Sequence, residues 1–388
     1  MTSTGLWASV KRSLHMLCSR RIYIAAMIGV PLFSAFFFLN LLGEGLPLKV
    51  PTAIVDMDNS SMSRQVVRSL RATELIDVRD KALSYDEALG KVKSGEVFGF
   101  FVIPEDFQKE AVGGRGPTID FYTNMTYFVP GTLAFKGFKT IAVSTSGALV
   151  KTTLVSAGID DADAGTILQP IVVQDHPTGN PWLNYSIYLS NSFIPGVIAL
   201  MVMLMTVYSI CDEIKHGTSP QWLRTAGGSI AVAVTGKLMP QTVIFSVVGI
   251  ACQSLLYGYS HFPMHCNAWH MISAMILMII ACQAFALFLI SVVPNLRLGL
   301  SLTALVGILS FSVTGFSFPV QNMYGSIAIF SYLIPLRYYF LIYIDQALNG
   351  IPLYFSRYYY AALLLFPIVA SSMLWKLKRH CQHPVYVP

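Results

Sequence analysis

The feature that most constrains this chain is an uncharged, strongly apolar run of 21 residues, Ile22 to Leu42. At about 1.5 Å per helical residue, such a run crosses the roughly 30 Å of hydrocarbon in a bilayer. Arg20 and Arg21 precede it, and the residues that follow, 43–47, lack the small-x-small pattern of a signal-peptide cleavage site. We therefore predict an uncleaved transmembrane helix over 22–42, with the N-terminus in the cytoplasm.

Five more apolar runs follow, at roughly 186–210, 238–258, 268–293, 298–318 and 358–375. Hydrophobic residues make up 54% of the chain and charged residues only 12%, about half the usual charged share. This composition excludes a soluble enzyme, a disordered regulator and a fibrous protein. We predict a polytopic α-helical membrane protein with six transmembrane helices, of which helices two to six lie within 186–375.

The charges indicate which side of the membrane each segment faces. Residues 43–185 hold 13 basic and 17 acidic residues, whereas the rest of the chain holds 13 basic and only 3 acidic ones. The basic excess falls in 1–21, 211–237, 294–297 and the tail 376–388, and the short loop 259–267 has no Lys or Arg. With both termini cytoplasmic, all these segments satisfy the positive-inside rule. The net charge of +6 therefore indicates membrane topology rather than nucleic-acid binding.

Two further segments touch the membrane without crossing it in this interpretation. Residues 1–21 predict an amphipathic helix on the inner leaflet, where its basic groups attract anionic lipid headgroups. The apolar stretch 319–357 is interrupted by Pro319, Pro335 and Pro352. Because the helix count makes this stretch begin and end outside, we predict two short helices that form a re-entrant segment.

Residues 43–185 predict an extracytoplasmic α/β domain. Strands are expected at 52–55, 76–78, 97–103 and 118–122, with helices at about 60–72, 85–92 and 131–157. The acidic run Asp160-Asp161-Asp163 is interpreted as a solvated turn. None of the six cysteines falls in this block, so it is not a disulfide scaffold. Its carboxylates show no catalytic or metal-ligand spacing.

The chain carries no obvious energy source of its own. Its sequence contains no GxxxxGK[ST] phosphate-binding loop. Six helices are few for a carrier built from inverted repeats, and no filter signature of a channel is visible. If the protein moves a substrate uphill, a partner must supply the energy.

Several segments, taken together, resemble one known family. The cytoplasmic loop reads Asp212-Glu213-Ile214-Lys215-His216-Gly217-Thr218, then Trp222-Leu223-Arg224, then Gly236-Lys237-Leu238-Met239-Pro240. Elsewhere the chain has Val55-Asp56-Met57-Asp58-Asn59-Ser60 with Ser63-Arg64, Phe101-Val102-Ile103-Pro104-Glu105-Asp106-Phe107, Asn180-Pro181 with Asn184-Tyr185, Gly315-Phe316-Ser317-Phe318-Pro319, and Pro335-Leu336-Arg337-Tyr338. These motifs and their order along nearly the whole chain resemble those of type-2 ABC transporter permeases.

The sequence departs from the family pattern at three places. Ser219-Pro220 follows Thr218, where the family often has an acidic residue, and Ala226-Gly227-Gly228 stands near a usual proline. Met323-Tyr324 replaces the usual Met-Pro. These differences bear on the fine contacts with an ATPase rather than on the class of protein.

The resemblance implies a permease subunit of an ATP-driven exporter in a bacterial inner membrane. Two permease chains, identical or related, would pair above two ABC ATPase subunits, which use the ATP, so this chain would be no enzyme and would bind no cofactor or metal directly. An external adaptor is a further candidate partner. The residues implied in ATPase coupling are Glu213, Lys215, Gly217, Thr218, Trp222, Leu223 and Arg224. The candidates for a translocation path or gate are Phe318, Pro319, Pro335 and Arg337.

Some alternatives stay open at this point. Trp222 could anchor the loop at the headgroup level instead of coupling, although the resemblance favours coupling. Arg337 could extend to the external interface rather than meet substrate. His261, His265, Cys266 and His270 could ligate a metal, but interfacial histidines are the simpler interpretation. A membrane-anchored receptor or scaffold with an external ligand-binding domain is the rival class, and it would not need the cytoplasmic loop.

Overall fold

The computed structural model describes residues 5–43, 45–168, 179–180 and 184–384. Contacts divide the chain into two compact units. A helical unit comprises Met1–Gly45 with His176–Pro388, and an α/β unit comprises Leu46–Asp175. Pro181, which belongs to one of the motifs above, lies outside the described residues.

The helical unit contains six helices, among the described residues, that are long and apolar enough to cross a membrane. We call them spans 1 to 6: Arg21–Leu41, Tyr185–Lys215, Ile230–Tyr259, Ala268–Val292, Leu296–Val313 and Leu353–Gln382. They confirm the prediction of a polytopic helical membrane protein. Span 6 is much longer than predicted, because its helix continues beyond the apolar run into residues such as Lys376 and Arg379.

Shorter helices complete this unit. The N-terminal helix, Leu6–Ser19, precedes span 1, and the loop helix, Ser219–Thr225, lies between spans 2 and 3. After span 5 come a short turn at Val320–Asn322 and two helices, Gly325–Tyr332 and Pro335–Leu348, bent by 82° at their junction. Span 1 contains a π-helical turn at Ala25–Gly29. Span 3 ends in such a turn at Ser254–Tyr259, and the helix Pro335–Leu348 ends in one at Tyr343–Leu348.

Spans 2 and 5 approach closely because glycines face large side chains between them. A Cβ added at Gly196 of span 2 would lie 2.2 Å from the ring of Phe311, and one at Gly307 of span 5 would lie 2.3 Å from Leu200. Small residues at such contacts are the usual basis of close helix packing in membranes. The two spans are therefore in intimate contact and cannot slide freely past one another.

The α/β unit is built on a four-stranded sheet with strand order β2-β1-β3-β4. The strands are β1 Val50–Asp56, β2 Ile76–Ala82, β3 Gly99–Ile103 and β4 Asp120–Thr123; β1 pairs in parallel with β2 and β3, and β4 is antiparallel to β3. The helices are Ser61–Arg71, Tyr85–Ser94, Phe107–Val112, Phe128–Ser156 and Asp161–Leu168. Helical crossovers join the parallel strands, as parallel pairing requires.

Both faces of the sheet are covered, which explains why β3 is apolar throughout. On one face Phe101 and Ile103 pack with Phe138, and on the other Phe100 and Val102 pack with Ala88. A strand buried on both faces needs no polar alternation.

One local prediction for this unit was wrong. The acidic run at 160–163 does not form a turn throughout, because Asp161 begins the helix Asp161–Leu168. The backbone N–H of Ala162 donates to Asp160 Oδ2 at 3.3 Å, and Lys151 Nζ lies 2.9 Å from Asp161 Oδ2. Acidic residues in the first turn of a helix are stabilised by its dipole, so the same residues that suit a turn also suit a helix start.

Candidate functional site

The loop between spans 2 and 3 is a compact structure rather than a flexible linker. After Lys215 the chain turns at Gly217, whose φ of 67° is one that glycine adopts without strain. Thr218 then donates its N–H to the carbonyl oxygen of Glu213 at 2.9 Å. At the other end of the loop helix, the N–H of Gly228 donates to the carbonyl oxygen of Leu223 at 2.8 Å. Both ends of the loop helix are thus closed by backbone hydrogen bonds.

A buried ion network ties this loop to three other helices. The carboxylate of Glu213, at the end of span 2, is fully buried. Its Oε1 accepts a hydrogen bond from Lys237 Nζ of span 3 at 2.7 Å, and its Oε2 accepts one from Arg12 Nη2 of the N-terminal helix at 2.8 Å. The hydroxyl of Thr218 also donates to Oε2. One carboxylate therefore links the N-terminal helix, span 2, the loop and span 3.

A second acidic residue extends the network toward the surface. Asp212 Oδ2 accepts from Arg20 Nη1 at 2.5 Å, and its backbone carbonyl lies 2.9 Å from His216 Nδ1. The hydrogen bond to Asp212 raises the pKa of the Arg20 guanidinium above its usual value, because it stabilises the charged form further. The two carboxylates lie among three cations, Arg12, Arg20 and Lys237, which leaves one positive charge in excess.

One face of the loop helix is seated in the protein by Trp222. This side chain is 1% exposed, and Lys237 Nζ lies 4.8 Å from its ring centroid. Trp222 Nε1 has no hydrogen-bond partner in the described part of the chain, so packing and the cation hold the ring. Ser219 Oγ donates to the carbonyl oxygen of Cys381 in span 6 at 2.9 Å, and the N–H of Gly5 donates to the carbonyl oxygen of Thr225 at 2.8 Å.

The opposite face of the loop helix is open. Gln221 and Arg224 are exposed there, and Lys215 and Gly217 are exposed in the preceding turn. The structure thus divides the residues implied in coupling into two groups. Lys215, Gly217 and Arg224 are exposed and Thr218 is half-buried, whereas Glu213, Trp222 and Leu223 are buried.

Glu213 and Trp222, two of the residues implied in coupling, are buried rather than exposed. Both side chains are at most 1% exposed, and their contacts are with neighbouring helices of this chain. The partners that bury Glu213 were missed by sequence reasoning. Arg12 is 201 residues away, and Lys237 was noted only as part of a motif. The available signal was a lysine inside an apolar span, because a charge there demands a counter-charge.

The residues proposed for a path or gate lie near the bent helix pair but in different environments. Phe318 and Pro319 are exposed, whereas Pro335 and Arg337 are buried. Arg337 Nη1 donates to the carbonyl oxygen of Thr314 at 2.9 Å, close to the C-terminal end of span 5, and its guanidinium lies 4.7 Å from the ring centroid of Tyr332. At 7% exposure, this arginine does not extend to the surface as the alternative interpretation expected.

Two histidines near the junction of spans 3 and 4 make ordinary hydrogen bonds. His270 Nδ1 lies 2.9 Å from Gln346 Oε1, and the backbone N–H of His265 donates to the carbonyl oxygen of Ala347 at 2.9 Å. In the described ranges, no group of three or more His, Cys, Asp or Glu side chains is placed to hold a metal.

Comparison with known proteins places this architecture in a family. The model of the family described as "ABC-2 family transporter protein" matches residues 21–376, nearly the whole chain. The linearmycin resistance permease protein LnrN of Bacillus subtilis (strain 168) is 33% identical over 95 residues, which is 24% of this chain and 24% of that protein. The match thus spans about a quarter of the relative's length. No solved structure matches the chain.

Proposed function

Because the chain belongs to the ABC-2 transporter family, we propose that it is the permease subunit of an ATP-driven exporter and that its loop helix docks on a separate ATPase subunit. The observation that carries this proposal is the two-sided loop helix. One face is fixed to the membrane helices by Trp222, and the other presents Gln221 and Arg224 to the solvent. A helix that passes movement from a partner to the membrane helices needs one face fixed to those helices and one face, the free face, open to the partner.

The ion network around Glu213 holds the loop helix in place against the membrane helices. A helix of seven residues is too short to be stable by itself, so its shape depends on its seat. Glu213 and Lys237 join spans 2 and 3 at the two ends of the loop. Separating such a buried pair is costly, because the buried charge of Lys237 would lose the carboxylate that compensates it. A force on the loop helix is therefore passed to both spans together.

Span 2 passes the movement on. Its Gly196 and Leu200 pack against Phe311 and Gly307 of span 5, so tilting span 2 requires span 5 to tilt or to repack. Closely packed interfaces respond by discrete shifts rather than by gradual deformation. In the proposed cycle, closure of the ATPase pair pushes the loop helix, and spans 2 and 5 open a lateral or central path for substrate.

The proposal includes an orientation in a bacterial inner membrane. The basic segments 1–21, 211–237, 294–297 and 376–388 favour the cytoplasmic side for the loop helix and both chain ends. The α/β unit, inserted between spans 1 and 2, is then extracytoplasmic, and the bent helix pair enters the membrane from outside and returns. A second permease chain completes the path, and the α/β unit is the natural contact for an external adaptor.

In this proposal the partner binds and hydrolyses ATP, and the permease binds neither nucleotide nor metal. The sequence has no phosphate-binding loop of the GxxxxGK[ST] type. The relative's printed name, a resistance permease, supports export rather than uptake.

Charge reversal on the free face of the loop helix tests the proposal. We expect Arg224→Glu to lower co-purification of a nucleotide-binding-loop subunit from mild detergent at least about tenfold, since interface arginines often contribute more than 1–2 kcal/mol. Arg297→Glu, at an exposed arginine in the first turn of span 5 on the same proposed side of the membrane, is the matched control. If both variants retain a stoichiometric ATPase subunit, or if the unmodified chain is recovered alone, the docking assignment is wrong.

A further inference from the structure

A pocket of about 390 Å³ lies where the N-terminal helix meets the end of span 2 and the turn before the loop helix. Its volume falls in the range of small-molecule sites, about 300–1,000 Å³. The charged and titratable side chains in its walls are Arg12, His15, Arg20, Asp212 and His216. The free face of the loop helix is not among these walls, so the proposed docking of an ATPase there does not account for the pocket.

Two arginines of the pocket are accessible although each also holds a carboxylate. Arg12 donates from Nη2 to Glu213 at 2.8 Å. Arg20 donates from Nη1 to Asp212 at 2.5 Å, and it also interacts with Tyr208. A guanidinium carries five N–H donors, so these contacts leave donors on both arginines. Because the two side chains are 25% and 40% exposed, a ligand in the pocket can reach them.

The carboxylates around the pocket do not balance its cations. Glu213 is compensated by Lys237, whose Nζ lies 2.7 Å from Oε1. Asp212 is compensated by Arg20. The charge of Arg12 then remains in excess, on a side chain that is three-quarters buried. A ligand with one negative charge would complete the balance.

The pocket lies at the level where two spans end. Arg20 immediately precedes span 1, and Asp212 lies three residues before the end of span 2. Ile22 and Ile24, at the start of span 1, are 47% and 53% exposed and begin its lipid-facing surface. Phospholipid headgroups lie just outside the hydrocarbon, so the pocket is at their depth and has an apolar surface beside it.

We propose that this pocket binds the phosphate of an anionic phospholipid from the leaflet next to the loop helix. Arg12 and Arg20 donate to the phosphate oxygens, which suit the fork geometry of a guanidinium, and the acyl chains lie along the start of span 1. A zwitterionic phospholipid brings its own ammonium group and leaves the charge of Arg12 unbalanced. This site goes beyond the proposed coupling function and does not depend on it, because binding requires neither an ATPase subunit nor ATP.

Native mass spectrometry of the purified full-length chain, released from detergent with added lipid, tests the site. The probes are phosphatidylglycerol and phosphatidylcholine with the same acyl chains. We expect the first phosphatidylglycerol to bind about tenfold more tightly than the first phosphatidylcholine, as one charge-assisted hydrogen bond would give. Inorganic phosphate at the same concentration should not displace it, because it lacks the acyl chains. Equal binding of the two lipids, or displacement by inorganic phosphate, would overturn the proposal.

A matched pair of variants separates the pocket from the general attraction of a basic surface for anionic lipid. Arg20→Gln with Asp212→Asn removes one phosphate ligand, keeps the net charge and leaves no unpaired carboxylate, so it should abolish most of the preference for phosphatidylglycerol. Arg21→Gln lowers the net charge by one at the same level of the membrane. Because Arg21 is exposed and is not among the described residues that line the pocket, the preference should change less than about twofold.

Arg12→Gln removes the excess charge and gives a second test. Glu213 keeps its pairing with Lys237 in this variant, so the preference should again be mostly lost while the pair stays intact. If Arg21→Gln weakens binding as much as the two pocket variants, or if neither pocket variant weakens it, surface charge alone explains the binding and the proposal is wrong. Binding of the lipid to the free chain but not to chain that retains a co-purified subunit would assign the pocket to that protein and would also overturn it.

Discussion

Glu213 receives hydrogen bonds from three parts of the chain, and this makes the ion network the most sensitive feature at the scale of single residues. Lys237→Met removes the buried cation and leaves the fully buried Glu213 carboxylate with only Arg12 and Thr218 as partners. We expect the free energy of unfolding to fall by about 3–5 kcal/mol, which would be measured as a lower melting temperature in detergent.

The double variant Glu213→Gln with Lys237→Met should recover most of that loss, because no buried carboxylate is then left without its lysine. Arg12, the third member, is a quarter exposed and can be hydrated. Lys376→Met, at an exposed lysine of span 6, controls for the loss of charge alone. A double variant as unstable as the single one would show that the pair is not energetically coupled.

Trp222 offers a test of how the loop helix is held. Trp222→Ala would leave a large cavity and cost about 3–5 kcal/mol. Trp222→Phe should cost far less, because Nε1 makes no hydrogen bond in the described structure and an aromatic face would remain below Lys237. Melting temperature and ATPase co-purification should both follow the order Trp, Phe, Ala. If Trp222→Phe and Trp222→Ala had the same melting temperature and the same ATPase co-purification, the aromatic ring would not be what holds the loop helix.

The residues of the loop could be located from the sequence, but their division into fixed and free faces could not. The motif around Glu213, Gly217 and Trp222 marks the segment, and its helix follows from local pattern. What buries Glu213 is Arg12 and Lys237, which come from distant parts of the chain. Burial of a charge depends on such tertiary partners, and local sequence does not identify them.

At the scale of elements, the N-terminal helix is packed tightly on span 3. Ser9 and Ser13 side chains are buried there, and Ser13 Oγ donates to the carbonyl oxygen of Lys237 at 2.8 Å. A Cβ at Gly236 would lie 2.6 Å from Ser9 Cβ. We expect Gly236→Ala to displace the helix at a cost of about 1–3 kcal/mol.

The displacement would appear as faster tryptic cleavage at Lys11 and Arg12. Gly29→Ala is the control, because a Cβ there would meet no atom within 4 Å. Unchanged cleavage in Gly236→Ala would mean that the helix is not seated against span 3, and the network through Arg12 would then lose its support.

The elements were predictable to different degrees for physical reasons. The six spans follow from apolar length, because a bilayer tolerates little else. The strands of the α/β unit follow from apolar runs such as 97–103. The helix Asp161–Leu168 was missed because three aspartates suit both a turn and a helix start. The π-helical turn at Ala25–Gly29 has no distinctive sequence pattern and could not be foreseen.

At the scale of the whole molecule, the proposed orientation places the α/β unit and the loop helix on opposite sides of the membrane. Single cysteines test this in a background where the accessible Cys18 and Cys266 are replaced by serine. Leu83→Cys, at a position 87% exposed, should react with a membrane-impermeant maleimide in intact cells. Arg224→Cys should react only after permeabilisation. The reverse pattern would invert the topology.

The central claim is that the free face of the loop helix touches an ATPase subunit, and a site-specific cross-link tests it most directly. A photoactivatable benzophenone residue replaces Gln221 in the chain expressed in its own cells, with the same residue at Val247 as a lipid-facing control. The account predicts an adduct from position 221, but not from 247, with a protein that contains a GxxxxGK[ST] loop. If position 221 yields adducts only with lipid or with other proteins while the chain is functional, the coupling account is contradicted.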